Sequence, residues 1–208
     1  GFLGLNGAGK TTTLRMLAGV LPTTGGTIEI DGVDLVKDPV GARKRMGFIP
    51  DRPYLYDKLT ANEFLRFIGE IYEMEPRTLD EKIAAVLLQQ SLHEHGDALV
   101  ESYSHGMKQR LVLSGALLHE PRLLIVDEPM VGLDPRGAKQ IKAIFRDFAA
   151  EGRTVFLSTH TLQVAQEVCD RLAIIHRGKI AAMGTVAEVC GPTRDLESVF
   201  LDITGGLE

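Results

Sequence analysis

The chain has 208 residues, 44% of them hydrophobic and 25% charged, with a formal net charge of −5 and a mean hydropathy of +0.03. That length can bury the core of one domain with room for a subdomain, while the negative balance argues against a broad nucleic-acid-binding face. No apolar run approaches the roughly 20 residues of a membrane-crossing helix, and no signal-peptide pattern is present, so any work at a membrane would need a crossing supplied by another chain.

Gly1-Phe2-Leu3 reads as the end of a buried strand that runs straight into a functional loop. So short a strand with nothing before it would lack pairing partners, and the natural chain is expected to continue upstream. Thr11 to Ala18 reads as a helix, with Leu14, Leu17 and Ala18 apolar and Gly19 at its end. "TIEIDGVDL" at Thr27–Leu35 alternates around Asp31-Gly32, a hairpin signal, and "MGFIP" is a short strand. From Thr60 the pattern turns helical. Thr60-Ala-Asn-Glu63 and Thr78-Leu-Asp-Glu81 both spell capping boxes. Phe64, Phe67, Ile68, Ile71 and Tyr72 make an apolar stripe at helical spacing that core packing explains.

The strand pattern resumes at "RLLIVDEP". A helix follows, with Asp134 as N-cap, Pro135 in its first turn, Ile141, Ile144, Phe145 and Phe148 on one face, and Gly152 as its stop. "TVFLS", "RLAIIH" and "KIAAMG" are three further strands, the last two joined through Arg177-Gly178. Cys169 and Cys190 lack metal-ligand spacing and read as packed thiols of a reducing compartment. Strand and helix mostly alternate, which predicts an α/β fold: a mainly parallel sheet flanked by helices, with a small antiparallel hairpin element. One domain is expected over 1–208, with an α/β core at 1–54 and 119–208 and a mainly helical subdomain at about 55–118.

"GLNGAGKTT", Gly4–Thr12, fits G-x-x-x-x-G-K-[ST] between a strand and a helix, the P-loop NTPase pattern. Backbone N–H groups of Asn6, Gly7, Ala8, Gly9, Lys10, Thr11 and Thr12 can curl around phosphate oxygens at the positive end of the helix. Lys10 can reach the β and γ phosphates, and the Thr11 hydroxyl can hold Mg²⁺. The bland alternative is a glycine-rich turn with a solvated lysine. Asp127-Glu128 ends the apolar run Leu123–Val126, where a parallel sheet opens its ligand crevice. Asp127 suits the Mg²⁺ shell, and Glu128 suits a general base acting on water. Alone, that pair could be a solvated turn before Pro129; with the loop it indicates a Mg-nucleotide hydrolase or phosphotransferase.

In this order the motifs resemble those of the nucleotide-binding subunit of ATP-binding cassette (ABC) transporters, across the whole chain. Tyr103-Ser104-His105-Gly106-Met107 corresponds to the family's Leu-Ser-Gly-Gly-Gln signature, with only the serine and the second glycine matching; Lys108-Gln109-Arg110-Leu111 continues in the family manner. The resemblance implies two subunits meeting head to tail, each covering with Ser104 and Gly106 the ATP held by the other's phosphate loop. It also implies that Asp134 in "VGLDP" shapes contacts across the dimer as well as capping a helix, and that His160 in "LSTH" contacts the γ-phosphate. The closing "DLESVFLDITG" resembles exporter-type ATPases whose integral-membrane permease is a separate chain. ATP and Mg²⁺ are the implied ligands, and a peripheral place on the cytoplasmic face of the cell membrane the implied location.

Asp51 departs from the family. It stands where a loop glutamine contacts Mg²⁺ and the attacking water, and its charge would repel the γ-phosphate while binding metal more tightly. The neighbouring "RPYLYDKLT" is expected to sense the permease, with Tyr54, Leu55 and Tyr56 either lining a groove for a permease helix or tucked under the helical insertion. The adenine-stacking aromatic of the family lies upstream of the loop. Three rivals remain open at this point. They are a soluble ABC-type ATPase acting on ribosomes or DNA, a weakly hydrolytic partner in a heterodimer, and a P-loop kinase, for which the signature stretch has no use.

Overall fold

The computed structural model describes residues 1–205; residues 206–208, at the end of the expected domain, lie outside the described residues. β1 (Phe2–Leu3) leads through a loop into α1 (Lys10–Leu17), which stops where Gly19 adopts φ 67°. β2 (Glu29–Ile30) and β3 (Val33–Asp34) pair antiparallel around Asp31 (φ 47°) and Gly32 (φ 77°). Two successive left-handed residues are what a type I′ hairpin turn requires. α2 (Pro39–Lys44) starts on the Asp38 carboxylate, which accepts the Gly41 N–H at 2.8 Å, and β4 (Met46–Ile49) follows.

α3 (Ala61–Ile71) opens with the capping box expected at Thr60. The Glu63 N–H donates to Thr60 Oγ1 at 3.1 Å, and the Thr60 N–H to the Glu63 carboxylate at 2.8 Å. The box expected at Thr78–Glu81 does not form. α4 (Pro76–Gln89) has already begun, and the Thr78 hydroxyl donates instead to Glu75 O at 3.1 Å. Pro76 sets this start, because its fixed φ suits the first helical turn and it has no N–H to satisfy there. Two 3₁₀ turns, His93–His95 and Val100–Ser102, precede α5 (His105–Leu117). Then come β5 (Leu123–Asp127), α6 (Pro135–Ala150), β6 (Thr154–Thr159), α7 (Leu162–Val168), β7 (Arg171–His176), β8 (Lys179–Thr185), α8 (Val186–Cys190) and α9 (Leu196–Thr204).

The chain divides into two compact units, residues 1–26 with 125 onward, and residues 27–124. In the first, the strands stand in the order β5-β6-β1-β7-β8. β1 runs parallel to both neighbours, with Phe2 opposite Ser158 and Ala173, and Leu3 opposite Thr159 and Ile174. The expectation that so short a leading strand lacks partners is therefore corrected: they come from the far end of the chain. β7 and β8 form the antiparallel hairpin through Arg177 and Gly178, both at positive φ. Leu3, Leu172, Ile174 and Leu196 are sealed in the core with Phe200 and Cys190. α6 adds Ile141, Ile144, Phe145 and Phe148, side chains whose full burial contributes about 1.5–3 kcal/mol each. Cys169 and Cys190 are unlinked, the first half-buried and the second buried.

The second unit holds the β2–β3 hairpin, α2, β4 and the helices α3 to α5. Just before β4, Arg45 O accepts the Arg122 and Leu123 N–H groups at 2.8 and 3.0 Å. Leu65, Leu92, Val100 and Leu111 are fully buried at its centre. The stripe on α3 divides. Phe64 is buried, but Phe67 and Ile71 are 38% and 58% exposed, so core packing does not account for all of it. The cause is one-sided packing: α3 meets α4 and α5, and at Gly69 it lies so close to Leu79 that a Cβ would stand 2.3 Å from Leu79 Cδ1. Among the described residues no helix is long and apolar enough to cross a membrane.

Candidate nucleotide site

The loop from Gly4 to Gly9 reverses the chain between β1 and α1. Gly4 has no space for a side chain, since a Cβ there would lie 2.7 Å from Ile175 O. Gly7 and Gly9 adopt φ 81° and 108°, a region that costs an L-residue on the order of 1–2 kcal/mol. The Ala8 N–H donates to Leu5 O at 3.1 Å, and the Gly178 N–H to Ala8 O at 2.9 Å. Asn6, Gly7, Thr11 and Thr12 face solvent. No side chain caps α1 and no acid stands in its first turn, so its amides and positive end are open to an anion. Lys10 is 6% exposed; its Nζ donates to Gly4 O at 2.7 Å and Leu5 O at 3.3 Å and stands 3.5 Å from Glu128 Oε1. An ammonium held by carbonyls of its own loop can exchange them for phosphate oxygens in stronger, charge-assisted bonds.

Asp127 ends β5 and Glu128 follows it. Asp127 is buried, and its Oδ1 accepts the hydroxyl of Ser158 on β6. Ser158, itself fully buried, holds the second acid too: the Glu128 N–H donates to Ser158 O at 3.2 Å and to its Oγ at 3.3 Å. These bonds restrain Glu128 at φ 51°, an uncommon backbone for a non-glycine. Its Oε1 accepts the His160 Nδ1–H at 2.9 Å. Ser158 carries no role in any of the sequence motifs; the available signal was a serine straight after the apolar run Val155–Leu157, two residues before His160.

Among the described residues no group of three or more His, Cys, Asp or Glu is placed to hold a metal. Mg²⁺ does not require one, because it is held by one or two carboxylates together with substrate phosphates and water. The Thr11 hydroxyl and the Asp127 carboxylate are a donor set of that kind. Asp134 is exposed and caps α6, accepting the Gly137 N–H at 2.7 Å.

The remaining candidates belong to the second unit. Ser104 is the exposed N-cap of α5, its Oγ accepting the Met107 N–H at 3.3 Å. Beside Gly106 a Cβ would meet nothing within 4 Å. Asp51 is exposed, 4.0 Å from Arg52 Nε. Leu55 packs against the helical core, whereas Tyr54 is 80% exposed. Its ring meets Tyr56 edge-on at 5.3 Å, and Tyr56 meets Phe67 at 5.6 Å. Only Leu55 is thus tucked under the helices; the two tyrosines and Phe67 form an exposed aromatic patch.

The family model for ABC transporters matches residues 1–131. The chain is 43% identical over 187 residues to the uncharacterised ABC transporter ATP-binding protein YxlF of Bacillus subtilis, covering 90% of this chain and 61% of that protein. It is 37% identical over 205 residues to the linearmycin resistance ATP-binding protein LnrL of the same organism, covering 99% and 66%. The chain therefore spans about two thirds or less of the length of these relatives. A solved ATP-binding subunit of an ABC transporter superposes with a TM-score of 0.88 at 32% identity, covering 97% of this chain and 86% of the other. Phosphate loop, acidic pair, fold and relatives agree: the chain belongs to the ABC transporter family, as one of its ATP-binding subunits.

Proposed function

We propose that the protein hydrolyses ATP to drive a separate integral-membrane permease, working in a pair of nucleotide-binding subunits at the cytoplasmic face of the membrane. The observation that carries this reading is the convergence of Lys10, Glu128 and His160 through single contacts of 2.9 and 3.5 Å beside the uncapped start of α1. Lys10 and the amides from Asn6 to Thr12 bind the β and γ phosphates. Thr11 and Asp127 hold Mg²⁺, which when bound neutralises charge on those phosphate oxygens. Glu128 takes the proton of the attacking water, and His160 orients that carboxylate at the γ end.

Ser104 and Gly106, at the start of α5, cover the triphosphate held by the other subunit, and Asp134 shapes the contact across the pair. Asp51 takes part near the metal and the water. Residues 1–208 act as one nucleotide-binding domain with an α/β core and a helical subdomain. The exposed Tyr54–Tyr56–Phe67 patch suits a permease segment. Export is the direction implied by the resemblance of "DLESVFLDITG" to exporter-type ATPases. A second reading, a weakly hydrolytic member of a heterodimer, is favoured by the negative charge of Asp51 in place of a neutral amide and by His105 and Met107 in the signature stretch.

Release of phosphate from Mg-ATP by the purified full-length protein tests the proposal, with Lys10→Ala as the control. Turnover abolished by that substitution supports it. Turnover that survives in Lys10→Ala, or none in the unaltered protein, contradicts it.

A further inference from the structure

Asp57 and Lys58 are neighbours in the loop before α3, and each grips the chain on a different side of Ser104. Lys108 Nζ donates to Asp57 Oδ1 at 2.8 Å, and Lys58 Nζ to the Glu101 carboxylate at 2.6 Å. Backbone bonds reinforce the same seam. The Glu101 N–H donates to Asp57 O at 3.1 Å and the Val100 N–H to Leu59 O at 2.9 Å, while Thr60 and Leu99 form an antiparallel bridge. The Lys108 N–H donates in turn to Ser104 O at 2.9 Å. Ser104 is thus bracketed by two residues, Glu101 and Lys108, that are tied to consecutive positions of one loop.

These ion pairs are exposed: Lys108 and Asp57 are 32% and 56% accessible, Lys58 and Glu101 83% and 43%. Exposed pairs contribute little to stability, and the buried leucines of this unit hold it together without them. What the pairs fix is position. Among the described residues the Ser104 hydroxyl has one light bond, 3.3 Å from the Met107 N–H, so its place depends on the segments to either side.

We propose that Asp57 and Lys108, backed by Lys58 and Glu101, are positioning residues that lock Ser104 to the loop carrying Tyr54 and Tyr56, so that a partner displacing the loop displaces the serine. The inference rests on the reading above, in which Ser104 meets the other subunit's nucleotide and the tyrosines meet the permease.

The test is a charge-reversal cycle in the full-length protein: Asp57→Lys, Lys108→Asp and the two combined. Each single change sets like charges side by side; the double change restores an opposite pair. Amide hydrogen exchange over residues 101–108, without nucleotide, is expected to quicken about fivefold in each single variant, the size an exposed pair allows, and to return in the double. The ATP concentration for half-maximal turnover is expected to rise by a similar factor in the singles and recover in the double, with fluorescent-ATP binding by the phosphate loop unchanged. Unaltered exchange in the singles, or a double no better than either single, overturns the strap. Exchange that responds in a protein with no turnover leaves the strap standing and removes the ATPase reading instead.

Discussion

His160 Nδ1 lies 2.9 Å from Glu128 Oε1, although 32 residues separate them. They meet because β5 and β6 are neighbours in the sheet and each residue directly follows the last residue of its strand. A carboxylate can only accept, so Nδ1 carries the hydrogen and the ring's other nitrogen is turned away from Glu128. Glu128→Gln keeps an oxygen for His160 but loses the capacity to take a proton. Turnover is expected to fall by ~10²–10⁴-fold, the usual worth of a general base. Binding of fluorescent ATP should stay within about threefold, as no ground-state contact to the phosphates is removed.

Ser158→Ala removes the one hydroxyl that holds both acids. Partners of metal-binding carboxylates typically govern 10–100-fold in metal affinity or activity, and a drop of that order in turnover is expected. A magnesium titration separates the cause. Half-saturation should move upward by ~10-fold, since Asp127 loses its anchor; an unmoved titration with normal turnover would show that Asp127 needs no such support.

Gly4→Ala should destabilise the first unit, because the added methyl meets Ile175 O at 2.7 Å and Ile175 Cγ2 at 2.8 Å. Overpacking of this kind costs about 1–3 kcal/mol. For a chain of this size thermal melting should drop by roughly 2–4 °C per kcal/mol.

His119 makes the second unit sensitive to acid. Its ring stacks on Tyr72 at 3.7 Å, its Nε2–H donates to Met46 O at 3.0 Å, and its buried Nδ1 has no hydrogen-bond partner among the described residues. Burial holds its pKa below the ordinary 6.5; the Met46 carbonyl pulls it back up and Lys82 pushes it further down. The folded state thus favours the neutral ring. Below pH 6.5 the unfolded chain takes up a proton that the folded one resists, so stability falls until the folded pKa is passed. Denaturant melts between pH 5 and 8 should show this loss, and His119→Phe should flatten it.

The parts of the site that lie in consecutive residues were legible in the sequence. Gly4–Thr12 declares its loop by glycine spacing, Asp31-Gly32 its hairpin, and Asp127-Glu128 its strand end. The parts that depend on distant strands coming together were not. Nothing local in "TVFLS" says that Ser158 will clamp both acids, and nothing in Phe2-Leu3 says that β6 and β7 will flank it. At Thr78 two local signals competed, and the stiffness of Pro76 prevailed over a four-residue capping pattern. On α3 the stripe was real, but periodicity does not say how many neighbours a helix has, and Phe67 and Ile71 stay in solvent.

The sharing of each ATP between two chains is tested most directly by an experimental structure of full-length Glu128→Gln trapped with Mg-ATP. Two copies are expected, with Ser104 Oγ of each within hydrogen-bond distance, about 2.5–3.0 Å, of the γ-phosphate on the other's loop. A nucleotide-filled single chain, or a pair in which Ser104 touches no phosphate, would contradict it.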